Sequence, residues 1–167
     1  MASAKANEPS LVSRLFLDAN VPTYAAGREH PLKEPCKEIV GLAARRPRAF
    51  FTDAEVLQEM LHRYLSSGRF EQGKSAIADF SDIMRGSIEA VTAADMERAL
   101  ELTERYATRP GSGLAARDVL HAAVMIRAGS QKIVSADRDF DELAPEGIER
   151  LEPAEVETWS VELDASG

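Results

Sequence analysis

Two short apolar runs in this sequence each deliver a carboxylate at their end. Leu15-Phe16-Leu17 is followed at once by Asp18, and Ile133-Val134 by Ser135, Ala136 and Asp137. Two further acids stand where burial makes charge costly. Glu59 lies in "EVLQEMLHRY", flanked by Leu57, Met60 and Leu61, and Asp118 lies in "LAARDVLHAAVMI", an almost charge-free stretch. A buried carboxylate costs several kcal/mol unless it is paired or binds a metal. Taken singly, each acid is accounted for by a cap, a surface position or an ion pair; Asp118 has Arg117 beside it and His121 one turn on. Taken together, four carboxylates converging at one edge of a sheet carry like charges that a divalent cation would neutralise. Mg²⁺ and Mn²⁺ take oxygen ligands and bridge carboxylates to substrate phosphate, and such an ion makes water a usable nucleophile near neutral pH. The chemistry implied is metal-assisted phosphodiester hydrolysis. Water rather than a ribose hydroxyl is the expected nucleophile, because no acid–base pair of histidines is in evidence, and a 5'-phosphate is the expected product end.

Other schemes have less support. One cysteine and three scattered histidines exclude a zinc site built from Cys and His. No Gly-rich phosphate loop and no nucleophile elbow occur, and Cys36 lies inside a helical pattern without a histidine partner. His62 and His121 both sit on helices beside the acids, where binding, proton transfer or a structural hydrogen bond are open roles. Three aspartates compete in "SADRDFDEL". Asp137 follows the strand most closely and is the primary choice, Asp139 is expected to be exposed or to assist through water, and Asp141 returns one turn above Asp137. A turn beginning near Asp137 would send Phe140 and Leu143 inward.

The elements that must position these acids can be read from periodicity. Strands are expected at 15–17, 49–52, 87–91 and 132–136, with a short fifth strand in "GIERL". Between them, "ANVPTYAAG" opens a short helix, and Cys36, Ile39, Val40 and Ala43 fall at helical spacing before Pro47. Asp53 is a plausible N-cap for the next helix, which Gly68 follows, and a further helix runs over about 70–85. Thr92 caps another, "TRPGSG" is a loop, and the apolar helix holding Asp118 closes at Gly129. Strands alternating with helices predict an α/β fold, a three-layer α/β/α sandwich around a central parallel sheet. Ligands of such sheets sit outside the carboxyl ends of the strands, where Asp18 and Asp137 fall.

At 167 residues and 44% apolar content the chain fits one globular unit. No apolar run approaches the ~20 residues of a membrane helix, so no membrane partner is expected. A lone cysteine and a polar amino terminus favour a cytoplasmic setting. The net charge of −8 argues against a generally basic nucleic-acid surface. Arg45 to Arg48, "RRPR", is the only dense basic cluster, either a helix end or a phosphate contact.

"LDAN", "EVLQEMLHRY", "ARDVLHAAVM" and "IVSADRDFDEL", in this order, resemble the PIN-domain nucleases, most closely the VapC-type toxin ribonucleases, from about Arg14 to Pro153. The resemblance implies a PIN-like nuclease domain over 13–153, between an N-terminal arm at 1–12 and an acidic C-terminal tail at 154–167. The tail is expected to be mobile, with Trp159 as its one candidate for packing. The resemblance also implies Mg²⁺ or Mn²⁺ held by Asp18, Glu59, Asp118 and Asp137, with Asn20 and Ser135 in supporting roles. The "QEML" context favours Glu59 over Glu55. RNA is the implied substrate, a small antitoxin protein the implied partner, and homodimerisation is carried by the resemblance alone. Leu32, Leu61, Tyr64, Phe70 and Ile77 are candidates for a groove that receives an antitoxin helix. Two rival readings are a non-catalytic RNA- or protein-binding module and a DNA-directed metal nuclease.

Overall fold

The computed structural model describes residues 14–164; the expected arm at 1–12 lies outside the described residues. The chain runs β1 (Leu15–Leu17), α1 (Asn20–Ala26), α2 (Lys33–Arg45), β2 (Phe50–Asp53), α3 (Ala54–Ser66), α4 (Phe70–Ile83), β3 (Ile88–Glu89) and α5 (Ala93–Leu102). A π-helical turn (Thr103–Ala107) then leads to α6 (Ala116–Arg127), β4 (Lys132–Val134), a 3₁₀ segment (Arg138–Glu146) and β5 (Glu149–Leu151). A 3₁₀ turn (Pro153–Glu155) and two short helices, α7 (Val156–Trp159) and α8 (Val161–Asp164), complete it.

The five strands form one sheet in the order β3-β2-β1-β4-β5, and every pairing is parallel. Leu15, Phe16 and Leu17 of the central strand are all buried, as a strand covered on both faces must be. From β1 the chain steps outward through β2 to β3, then α5 and α6 carry it back past β1 to β4. Right-handed crossovers in opposite directions put the two sets of helices on opposite faces. The packing agrees: α1, α2 and α4 contact one another, α3 packs on α4, and α5 packs on α6. The expected α/β/α sandwich is thus the fold. Its strand order reverses between β1 and β4, which opens the crevice at their carboxyl ends.

Local chemistry sets the helix starts. The Asp53 carboxylate accepts the Val56 N–H at 3.0 Å and caps α3, and Thr92 and Asp95 form a reciprocal capping box at α5. Arg45 lies in the last turn of α2, and Arg46 donates to the Leu163 carbonyl at 2.8 Å. The "RRPR" cluster therefore sits before β2, at the amino ends of the strands and away from the acids that follow them.

The segment after Pro153 corrects the expectation of a mobile tail. Val156 and Trp159 are buried, and the turn and α7 pack against α2. The indole N–H of Trp159 donates to the Glu152 carbonyl at 2.9 Å. Two apolar residues three apart give this acidic stretch one face to bury, which a count of its charges does not reveal.

Candidate active site

Asp18 stands at the end of β1 and is buried. One carboxylate oxygen accepts the Ala19 N–H at 2.8 Å; the other accepts the Ser135 hydroxyl at 2.6 Å and the Asn20 amide. Ser135 also accepts from Asn20 Nδ2 at 2.9 Å and from the Asp137 N–H at 3.0 Å, while Asn20 Oδ1 accepts the Ala136 N–H at 3.2 Å. The ends of β1 and β4 are therefore tied by a polar net that fixes the Asp18 carboxylate. Burial raises the pKa of Asp18 from its ordinary value, against the opposing influence of His121 and the Ser135 hydroxyl.

Asp118 lies in the first turn of α6, where its carboxylate accepts the Ala115 N–H at 2.6 Å. Its pKa is pushed up to about 6, first by burial and then by the charges of Asp137 and Asp18, with the Ala115 hydrogen bond opposing. Those two charges come from the ends of β4 and β1, so three acids share one electrostatic environment. Asp137 caps the 3₁₀ segment by accepting the Asp139 N–H at 3.0 Å. Phe140 and Leu143 turn fully inward from that segment. Asp139 is half-buried rather than exposed. Its carboxylate lies so close to Gly113 that a Cβ there would overlap it, and its pKa is raised by burial and by Asp137 and Glu142. Asp141 is exposed and paired with Arg150 at 2.8 Å, which leaves it turned from the crevice.

Glu59 projects from α3 with its side chain 12% exposed. Arg117 Nε lies 3.4 Å and Arg63 Nη2 4.0 Å from its Oε1. Burial pushes its pKa up, but His121 and Arg117 outweigh that, and the net direction is down. Glu55, the competitor one turn earlier, lies in the first turn of α3.

The linear reading left the role of His121 open and missed its partner. Asp53, expected only as a cap, uses its second oxygen to hold His121 Nδ1 at 2.8 Å across 68 residues of sequence. His121 therefore does not pair with Asp118, as its spacing had allowed. Burial alone would push this imidazole down; the hydrogen bond to Asp53 and the Glu59 carboxylate outweigh it and bring its pKa up to about 10. Periodicity carries no signal for a pairing made between β2 and α6. The residue at 121 announces itself only as a histidine on an apolar helix.

The donor chemistry fits a divalent cation. Asp18, Glu59 and His121 each offer one ligand atom, all within 4.8 Å of one another, and His121 Nε2 is a buried polar atom without a hydrogen-bond partner. Asp118 and Asp137 add carboxylates in the same environment.

The PIN domain family profile matches residues 15–145. Ribonuclease VapC13 of Mycobacterium tuberculosis is 36% identical over 140 residues, covering 82% of this chain and 98% of that protein. Ribonuclease VapC7 of the same organism is 38% identical over 134 residues, 78% of this chain and 86% of that protein. The crystal structure of M. tuberculosis VapC20, described as a sarcin-ricin loop cleaving toxin, aligns with a TM-score of 0.60 at 23% identity, over 78% of this chain and 94% of that one. VapBC2 of Rickettsia felis, solved with a DNA fragment of its promoter, aligns with a TM-score of 0.63 at 18% identity, over 83% and 97%. These two structures share the fold. The chain belongs to the PIN-domain family, in its group of VapC ribonucleases.

Proposed function

We propose that this protein is a divalent-metal-dependent endoribonuclease, the toxin of a toxin–antitoxin pair. The observation that carries the proposal is the acid cluster at the switch point between β1 and β4. There Asp18 is held by Ser135 and Asn20, and the charges of Asp18 and Asp137 help raise Asp118 to about 6. Like charges kept close in a buried crevice are a cost to the fold that a cation relieves. Asp18, Glu59, Asp118 and Asp137 are the acids assigned to the metal, Mg²⁺ or Mn²⁺ by their oxygen chemistry. When bound, such an ion activates water and stabilises charge on the phosphoryl oxygens.

The chain's own residues supply orientation. The Ser135 hydroxyl and the Ala19 N–H hold Asp18 by both oxygens, and the Ala115 N–H fixes Asp118. Arg117 and Arg63, both about half exposed beside Glu59, offer cationic contacts to an RNA backbone next to the acids. For the antitoxin, the supporting feature is a groove between α1, α2 and α4 lined by Pro22, Ala25, Val40, Ala76 and Phe80. Leu61 and Phe70 are exposed, whereas Tyr64 is 2% exposed and packs against Gly73, so it is core rather than docking surface. No helix among the described residues is long and apolar enough to cross a membrane.

The test is cleavage of total RNA with Mn²⁺ by wild type and Asp118→Asn, with the new ends mapped and matched DNA oligonucleotides run alongside. RNA cut to 5'-phosphate ends by wild type alone is the expected result. Activity that survives chelation, or an equally active variant, overturns the proposal, and cleavage of DNA only would reassign the substrate.

A further inference from the structure

His121 is fully buried, yet only one of its ring nitrogens is satisfied. Nδ1 lies 2.8 Å from Asp53 Oδ2, and both side chains have no exposed surface. The other Asp53 oxygen caps α3 through the Val56 N–H, so the carboxylate cannot swing away without uncapping that helix. With Asp53 accepting at Nδ1, Nε2 is the nitrogen turned to the acids. It has no hydrogen-bond partner. An unsatisfied buried polar atom costs about 1–3 kcal/mol, and the large majority of buried side-chain polar atoms are paired. Glu59 Oε2 lies 4.0 Å from Nε2, too far for a hydrogen bond, and an Asp18 oxygen lies within 4.8 Å. A carboxylate behind the imidazole and acids in front is the arrangement by which proteins orient a ligating histidine and raise its basicity.

We propose that His121 Nε2, oriented by Asp53, is a ligand of the divalent cation on the face formed with Asp18 and Glu59, and that this nitrogen favours a transition ion over Mg²⁺. The inference rests on the metal-nuclease reading above and narrows its choice of ion. Mg²⁺ is bound through carboxylates and retained waters, whereas an imidazole donor suits first-row transition ions. Nε2 ligates as neutral imidazole, the form in which Nδ1 carries the ring proton toward Asp53.

The experiment uses Mn²⁺ as a paramagnetic probe on the intact chain. Pulsed EPR of the Mn²⁺-loaded protein reads directly bound nitrogen, and ¹⁵N-histidine labelling assigns it. Calorimetry gives Mn²⁺ and Mg²⁺ affinities for wild type, Asp53→Asn and His121→Gln, where asparagine keeps the helix cap. Histidine nitrogen coupling is expected in wild type. In Asp53→Asn, Mn²⁺ affinity should fall by about 10- to 100-fold, and Mg²⁺ affinity by clearly less. Mn²⁺ bound by wild type without nitrogen coupling overturns the inference and leaves the nuclease reading standing; the wild-type spectrum decides this even if the variants fold poorly. Mg²⁺ bound without Mn²⁺ likewise overturns the inference alone, whereas binding of neither ion, or Mn²⁺ affinity unchanged in an Asp18→Asn variant titrated alongside, overturns both.

Discussion

Replacing Asp118 by asparagine is expected to abolish cleavage and, at the same time, to make the metal-free protein more stable. The ordinary pKa of an aspartate is 3.8 and that of Asp118 is about 6, raised chiefly by burial and then by Asp137 and Asp18. The folded state thus holds this proton more tightly than the unfolded chain does. Its contribution to stability is complete below about pH 4 and is lost as pH rises through about 6. At about 1.4 kcal/mol per pH unit, the full loss above pH 6 is about 3 kcal/mol, an upper bound because the neighbouring acids titrate together with it. Asparagine cannot ionise, and its carbonyl can still accept the Ala115 N–H. At pH 7.5 in EDTA the variant should be more stable by roughly 1–3 kcal/mol, which for a domain of this size is a rise in Tm of roughly 2–12 °C. Urea melts of both proteins from pH 4 to pH 7.5 are the assay. Wild type should lose stability across that range more steeply than the variant, and Mn²⁺ should raise the Tm of wild type far more. Parallel pH profiles, or a variant less stable than wild type at pH 7.5, would refute the reasoning.

Asp137→Asn should lose cleavage, whereas Asp141→Asn removes only a surface pair with Arg150 and should change stability by less than about 1 kcal/mol with activity retained. The reverse pattern in an RNA assay would move the site one turn along. Ser135→Ala takes a donor from Asp18 and an acceptor from the Asp137 N–H, and should cost about 1–3 kcal/mol in denaturant melts. Gly113→Ala puts a methyl group onto the Asp139 carboxylate, so a loss of roughly 1–3 kcal/mol is expected, and an unchanged Tm would show that the loop yields freely. Trp159→Ala should destabilise the whole domain by roughly 3–5 kcal/mol in a single transition if α7 belongs to the fold, and barely at all if it does not.

The sequence by itself determined the parts that depend on near neighbours. An all-apolar β1 ending at Asp18, caps at Asp53 and Thr92, and the inward turn of Phe140 and Leu143 all follow from spacing within a few residues. The alternation of short strands with helices was enough for the layered parallel fold, because covering both faces of such a sheet leaves few topologies. Only the tertiary structure decided contacts that close long loops. Ser135 reaches Asp18 across 117 residues, and Asp53 reaches His121 across 68. Nothing local to any of these residues reports the partner. The same holds for Tyr64, whose ring finds room in the core because Gly73 on the next helix has no side chain, and for Trp159, the packing candidate of an acidic stretch, whose place the sequence leaves open. Periodicity states which residues must leave water, whereas the partner each one meets is settled by how the strands are ordered and the helices packed.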